Sequence, residues 1–455
     1  MALLDSLFRL PAIDTLFSDT ARLQGMLDFE AALARAEASC GIIPWTAAPA
    51  IAAHCREELF DFADLQRKAA HAGNLAIPMV QQLTALVGRE DHAAAEFVHW
   101  GATSQDAIDT GLVLQLRSAL VIISRELQQL CGLLAKLADE HRSTLIAGRT
   151  WMQHAAPMTF GVKVAGWLDA LHRHAQRVEE ARERALVLQF GGSIGTLAAL
   201  GEKGPEVSAA LANELSLTLP AIPWHAHRDR FAEVATTLGI LTGTLGKIAR
   251  DISLHAQAEI GELHEPAAAG RGGSSAMPQK QNPVASAVTL SAAIRVPGLV
   301  ATLLAAMPQE DERGLGGWHA EWEVLPEIVC LAGGALHHLS AAVSALQVRV
   351  PRMEENLEIT QGLIYAEAVT TALATRTGKQ EARRLVEAAC QRATASHSHL
   401  RDVLLDTKEV LQHLPTAQIR ELFSAQKYSS DGSSMIDKVL AADRSFLQKP
   451  KSESA

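Results

Sequence analysis

The stretch GRGGSSAMPQKQNPVAS, Gly270 to Ser286, gathers three glycines and three serines beside a single lysine. Asn282 stands where a helix N-cap belongs and Pro283 at the first helical position, which is the favoured order. A helix N-terminus carries partial positive charge, and with Lys280 just before it this one is suited to an anion. Ser274 and Ser275 could close over that anion, with the glycines acting as hinges. The competing reading is a surface linker leading into a capped helix.

Two further stretches group donors and ionisable side chains. HWGATSQDAIDT begins at His99 and presents the hydroxyls of Thr103 and Ser104. Read locally, it is a helix start with Thr103 as cap and Asp106 three residues on. GRTWMQHAAPMTFG, Gly148 to Gly161, sets Arg149, Thr150 and His154 around Trp151. His154 by itself reads equally well as a satisfied, half-buried imidazole. The 18 histidines raise the question of a metal. His172 and His174 would project about 160° apart on a helix, and only the looplike PWHAHRDR could bring His225 and His227 together. We expect no metal site.

These groups need elements to hold them. Leu112, Leu116, Leu120, Ile123, Leu127, Leu130, Leu134 and Leu137 recur every three or four positions and predict one long helix over 111–141. Phe231, Val234, Leu238, Leu241, Leu245, Ile248 and Ile252 predict a second, with a seam suited to shallow helix crossings. Similar spacing over 162–188, over 284–307 with a kink at Pro297, and over 327–346 completes about five long central helices. Strand-like alternation is scarce. The expected fold is therefore all-α in three regions: an N-terminal helical region 1–110 with a helix capped near Asp19 and Thr20, a long-helix bundle 111–355, and a C-terminal helical region 356–455 with a disordered tail. Helices this long expose apolar stripes that one bundle cannot cover, so a homo-oligomer built on the central helices is expected.

Composition narrows the partners. A net charge of -10 argues against nucleic acid, whose recognition relies on clustered Lys and Arg, and favours a small molecule. Five scattered cysteines with no C-x-x-C pair point to a reducing, cytoplasmic setting. The N-terminus interrupts its apolar residues with Asp5, Arg9, Pro11 and Asp14, which spoils a signal-peptide core. No uninterrupted apolar run approaches the roughly 18 residues of a spanning helix, so no membrane is expected.

GSSAMPQKQNP, Gly273 to Pro283, resembles the signature G-S-S-x-M-P-x-K-x-N-P of the fumarase/aspartase superfamily at every fixed position. The resemblance implies that Ser274 transfers a proton at the carbon next to a substrate carboxylate, and that Lys280 and Asn282 hold that carboxylate as it gains charge. Such roles suit an enolate, which needs preorganised donors and positive charge. The superfamily uses no cofactor and no metal for this. Thr103 and Ser104 match its carboxylate-binding segment, and His99 extends the likeness to the adenylosuccinate-lyase branch. Arg228-Asp229-Arg230 matches a segment of that branch, implying a substrate-facing or subunit-bridging role.

The third stretch looks like that branch's G-R-T-H-x-x-H-A-x-P-x-T-F-G but has Trp151 in place of the first histidine, a general acid or its relay. An indole does not titrate and cannot protonate a leaving group. A carboxylate leaving group needs no such acid. The substitution therefore fits the superfamily's cycloisomerase chemistry, in which a carboxylate of 3-carboxy-cis,cis-muconate adds across a conjugated double bond to close a lactone, a step in bacterial protocatechuate degradation. HAGNLAIPMV, His71 to Val80, and ERGLGGWHAEWEVLPE, Glu312 to Glu327, also look like the superfamily's cycloisomerases, the second in the place where adenylosuccinate lyases carry a phosphate-binding segment. In the second, Trp318 and Trp322 replace polar phosphate ligands; they suit a planar diene, or else pack in the core. Arg149, Arg313 and Lys280 are the candidate cations for a polycarboxylate. The resemblance implies a homotetramer whose composite sites draw the Thr103, Gly148 to Gly161 and Ser274 segments from different subunits. The rivals are an adenylosuccinate-lyase-like carbon-nitrogen lyase and a helical scaffold without activity.

Overall fold

The computed structural model describes residues 3–266, 272–277 and 279–448. The tail expected to be disordered lies almost wholly outside the described residues, as do Gly270, Arg271 and Pro278 of the serine loop. The fold is all-α. The helices that position the site are labelled in chain order: α1 Asp19–Ser39, α2 Ser104–Glu140, α3 Phe160–Ala185, α4 Asp229–His255, α5 Val284–Ala306, α6 Gly317–Ser344, α7 Ala366–Thr377 and α8 Lys379–Ser396.

The 37 residues of α2 span about 55 Å. All eight members of its predicted apolar series are buried. Gly111 lets α1 cross closely, because a Cβ on Gly25 would stand 2.9 Å from the Gly111 carbonyl oxygen. The α1 cap is Ser18, whose hydroxyl accepts from Ala21 N at 3.2 Å; Asp19 and Thr20 fall inside the helix. Helices α2 to α6 pack as one long bundle, with α7 and α8 around a separate small core of Val369, Leu373, Leu385, Leu400 and Leu404.

Two elements differ from the sequence expectation. Helix α6 begins ten residues early and runs through the buried Pro326, because bundle packing outweighs the hydrogen bond that proline forfeits. Helix α5 also continues through Pro297, within the span that the periodicity over 284–307 predicted. A hairpin of β1 Leu145–Thr150 and β2 Gln153–Thr159 carries the third motif. Its turn residues are Trp151 and Met152, both left-handed at φ 50° and 66°. Two-residue turns of that hand are signalled by Asn-Gly or Asp-Gly, so Trp-Met concealed it. A second pair, β3 Leu263–His264 and β4 Gln347–Val348, ties the exit of α4 to the end of α6.

Helices α2, α5 and α6 are each long and apolar enough to cross a membrane by composition. Most of that surface on α2 and α6 is buried within the bundle, whereas only 28% of the apolar window of α5 is. Ile294 and Leu304 of α5 and Ile240 of α4 stand exposed.

Candidate active site

At the start of α2 one buried carboxylate organises the backbone. Asp106 accepts from Thr103 N (3.0 Å), Gln189 Nε2 (3.1 Å), Gly191 N (3.0 Å) and Gly192 N (2.9 Å), and His225 Nε2 lies 2.7 Å away. It thereby fixes the turn that presents the half-buried Thr103 and Ser104. Read from sequence as a helix cap alone, Asp106 is the hub of this end. Arg313 joins the same loop, donating from Nη2 to Ser193 O at 3.0 Å. His99 stands five residues before Ser104 at φ 58°, with Nδ1 2.6 Å from Glu30 Oε1. Burial disfavours its charge, but Glu30 and then Asp106 outweigh that and raise the imidazole's pKa above its ordinary value.

The hairpin lies at the far end of α2. Arg149 pairs across the strands with His154 and, expected as a substrate cation, gives both terminal nitrogens to the buried Glu262 at 3.0 and 2.8 Å. His255 Nδ1 and Asn356 Nδ2 complete that carboxylate's shell. Burial alone would raise the Glu262 pKa; the hydrogen bonds from His255, Arg149 and Asn356 reverse this and hold it at about 2. Burial and then Arg149 lower the pKa of His154, so its imidazole is neutral at neutral pH. Thr150 is exposed and Trp151 is 95% exposed at the tip. No motif in the sequence pointed to Glu262.

The serine loop opens from the same end. Asn282 N donates to Gly272 O at 2.8 Å, pinching the segment between them shut. A Cβ on Gly272, at φ 73°, would meet Asn282 O at 2.7 Å, so glycine serves close approach here. Ser274 Oγ accepts from Met277 N at 3.1 Å and Ala276 N at 3.4 Å, and these amides stabilise negative charge on that oxygen. Lys280 is exposed and Asn282 half-buried. Asn282 does not cap α5: its Nδ2 donates to Gly273 O. Glu265 takes the cap, accepting from Ala285 N (2.9 Å), Ser286 N (2.7 Å) and Ser286 Oγ (2.6 Å), since a carboxylate meets a helix N-terminus better than an amide does.

The chain thus sorts its candidates to two ends of the bundle. His99, Thr103, Ser104 and Arg313 gather at the start of α2. Arg149, Thr150 and His154 sit on the hairpin past its end, and the serine loop lies between Glu262 and α5 on that side. About 55 Å of helix separates the two groups.

Two other expectations are corrected. Arg228 is 2% exposed and faces inward: its guanidinium holds Asp109 and Glu321 and lies 5.0 Å from the ring centroids of Trp224 and Phe231. Trp318 is a core residue, 4% exposed, with Nε1 donating to Asp109 Oδ1 at 3.0 Å. His225 is buried on Asp106 while His227 is exposed, so the pair does not converge.

Residues 9–298 match the Lyase family and residues 362–439 the Adenylosuccinate lyase C-terminus family. The 3-carboxy-cis,cis-muconate cycloisomerase of Pseudomonas aeruginosa is 53% identical over 98% of both chains. The structure of the 3-carboxy-cis,cis-muconate lactonizing enzyme from Pseudomonas putida superposes with a TM-score of 0.93 at 50% identity, covering 98% of this chain and 99% of that one. The beta-carboxy-cis,cis-muconate cycloisomerase of Acinetobacter calcoaceticus sp. ADP1 superposes with a TM-score of 0.91 at 42% identity, covering 97% and 100%.

Proposed function

The chain belongs to the lyase family, within the fumarase/aspartase superfamily, and from that premise we propose that it closes 3-carboxy-cis,cis-muconate to the carboxymuconolactone. The observation that carries this reading is Trp151, a non-titrating indole exposed on a hairpin tip, in a chain that keeps Ser274, Lys280 and Asn282 of the serine loop. A site without that general acid suits a reaction whose leaving group, in reverse, is a carboxylate.

One substrate carboxylate attacks the diene and forms the ring carbon-oxygen bond, leaving an enolate on the far carboxylate. Lys280, Asn282, Thr103 and Ser104 hold that charge. Ser274 delivers its hydroxyl proton to the alpha carbon, and the amides of Met277 and Ala276 support the oxygen until water reprotonates it. The nucleophile is intramolecular, so the protein's contribution is folding the substrate into a reactive conformer and stabilising the enolate. His99 and Arg313 at one end, with Thr150 and His154 at the other, complete the binding set. Because Arg149 is neutralised by Glu262, we assign it to holding the hairpin.

Residues so far apart meet only if copies pack antiparallel. The exposed apolar faces of α4 and α5 support a homotetramer with composite sites. The test mixes purified protein with 3-carboxy-cis,cis-muconate and follows loss of diene absorbance, with adenylosuccinate in parallel. Rapid loss that vanishes in Ser274→Ala, with assembly intact, is the expected result. Fumarate release from adenylosuccinate with an inert muconate would refute the reading.

A further inference from the structure

Glu30 belongs to α1, outside every stretch that carries a site motif, and it is 1% exposed. Oε1 takes the His99 Nδ1 contact at 2.6 Å, while Oε2 is buried with no partner. His99 itself stands in the left-handed region, where a non-glycine residue costs on the order of 1 kcal/mol or more. Its side chain is 15% exposed. With Nδ1 committed to Glu30, Nε2 is the ring nitrogen left to meet a ligand, and among the described residues nothing engages it. Strain, burial and one short contact thus hold a largely covered imidazole beside Thr103 and Ser104.

We propose that Glu30 is a positioning residue, holding His99 as an imidazolium whose Nε2–H meets a carboxylate of the substrate. This rests on the polycarboxylate reading given above. The charged groups that act on His99 are Glu30 from α1 and Asp106 from α2, both acidic, and Asp106 is already shared among five nitrogens. Glu37, two turns beyond Glu30 on α1, is buried with both oxygens unpartnered. Burial and then Glu30 push its acid up to about 9, so Glu37 adds no charge at neutral pH. Removing Glu30's charge leaves a buried imidazole that sheds its proton more readily.

Diethylpyrocarbonate attacks only the neutral ring, so its reaction with His99, located by peptide mass spectrometry, reads the titration directly in the full-length enzyme. In Glu30→Gln the pH at which labelling begins should fall by about one unit or more. Over the same range KM for the tricarboxylate should rise about tenfold on the alkaline side, kcat should change less, and KM should recover as pH falls. Unshifted labelling, or a loss equal at every pH, would overturn the assignment. Glu37→Gln should leave the onset in place; an onset that moves with Glu37→Gln and not with Glu30→Gln overturns it too. Should Glu30→Gln fail to fold, His99→Gln keeps Glu30 and serves instead: its KM should be high and flat with pH, and a wild-type profile counts against the proposal. Labelling needs no turnover, so a protein inert toward the muconate still reports on the pair.

Discussion

Trp151 and Arg228 show how one residue can limit or anchor a site. If the leaving group needs no acid, Trp151→His should change cycloisomerisation by no more than about twofold. A gain approaching the roughly 100-fold typical of general acid catalysis would contradict the leaving-group assignment; initial rates on the muconate decide it. Arg228 stabilises from inside. Between Asp109 and Glu321 its charge is fully paired, and Arg228→Ala would strand two buried carboxylates at a cost of about 3–5 kcal/mol. A urea unfolding midpoint unchanged from wild type would show that the cluster contributes nothing.

The hairpin and the serine loop make their claims as elements. Gly272→Ala forces a Cβ to within 2.7 Å of Asn282 O in a left-handed backbone, so the loop must reopen. We expect a fall in kcat of about tenfold or more with Tm within a degree or two, since little buried surface is involved. A Tm loss as large as that of a core mutation would make the loop structural. Glu262 anchors the hairpin through Arg149. Its pKa is depressed from 4.5 to about 2, so its stabilisation is complete above the unfolded value and is lost as pH falls from about 4.5 toward 2. The amount is on the order of 3 kcal/mol. Glu262→Gln should be less stable at neutral pH and show a shallower acid limb in thermal melts between about pH 5 and 2; an acid limb parallel to wild type would contradict this.

For the whole molecule the proposed composite site requires ends about 55 Å apart to meet. Ile294→Asp places a charge on the exposed apolar face of α5, at a position 74% exposed in the single chain. The expected result by light scattering is dissociation with loss of activity and retention of helical signal; an unchanged mass would remove that face from the interface. Mixing inactive Thr103→Ala with inactive Ser274→Ala should restore part of the activity if sites combine copies. No recovery after co-refolding would place both segments in one subunit's site.

Several features were legible in sequence for local reasons. Leu112 to Leu137 and Phe231 to Ile252 repeat with the helical period, and burial follows period; the serine signature is contiguous, so its order and spacing survive in one line. What sequence concealed depended on distant atoms. Trp151 and Met152 turn a hairpin without a turn signature because the strands impose their twist. Asn282 gave up its cap to Glu265, seventeen residues earlier, because a carboxylate binds a helix N-terminus more strongly. Arg149, Arg228 and Trp318 looked available because sequence lists charges and rings without their partners. Only the folded chain shows Glu262, Asp109 and Glu321 already holding them, and buried ionic and polar groups cannot remain unpaired without large cost.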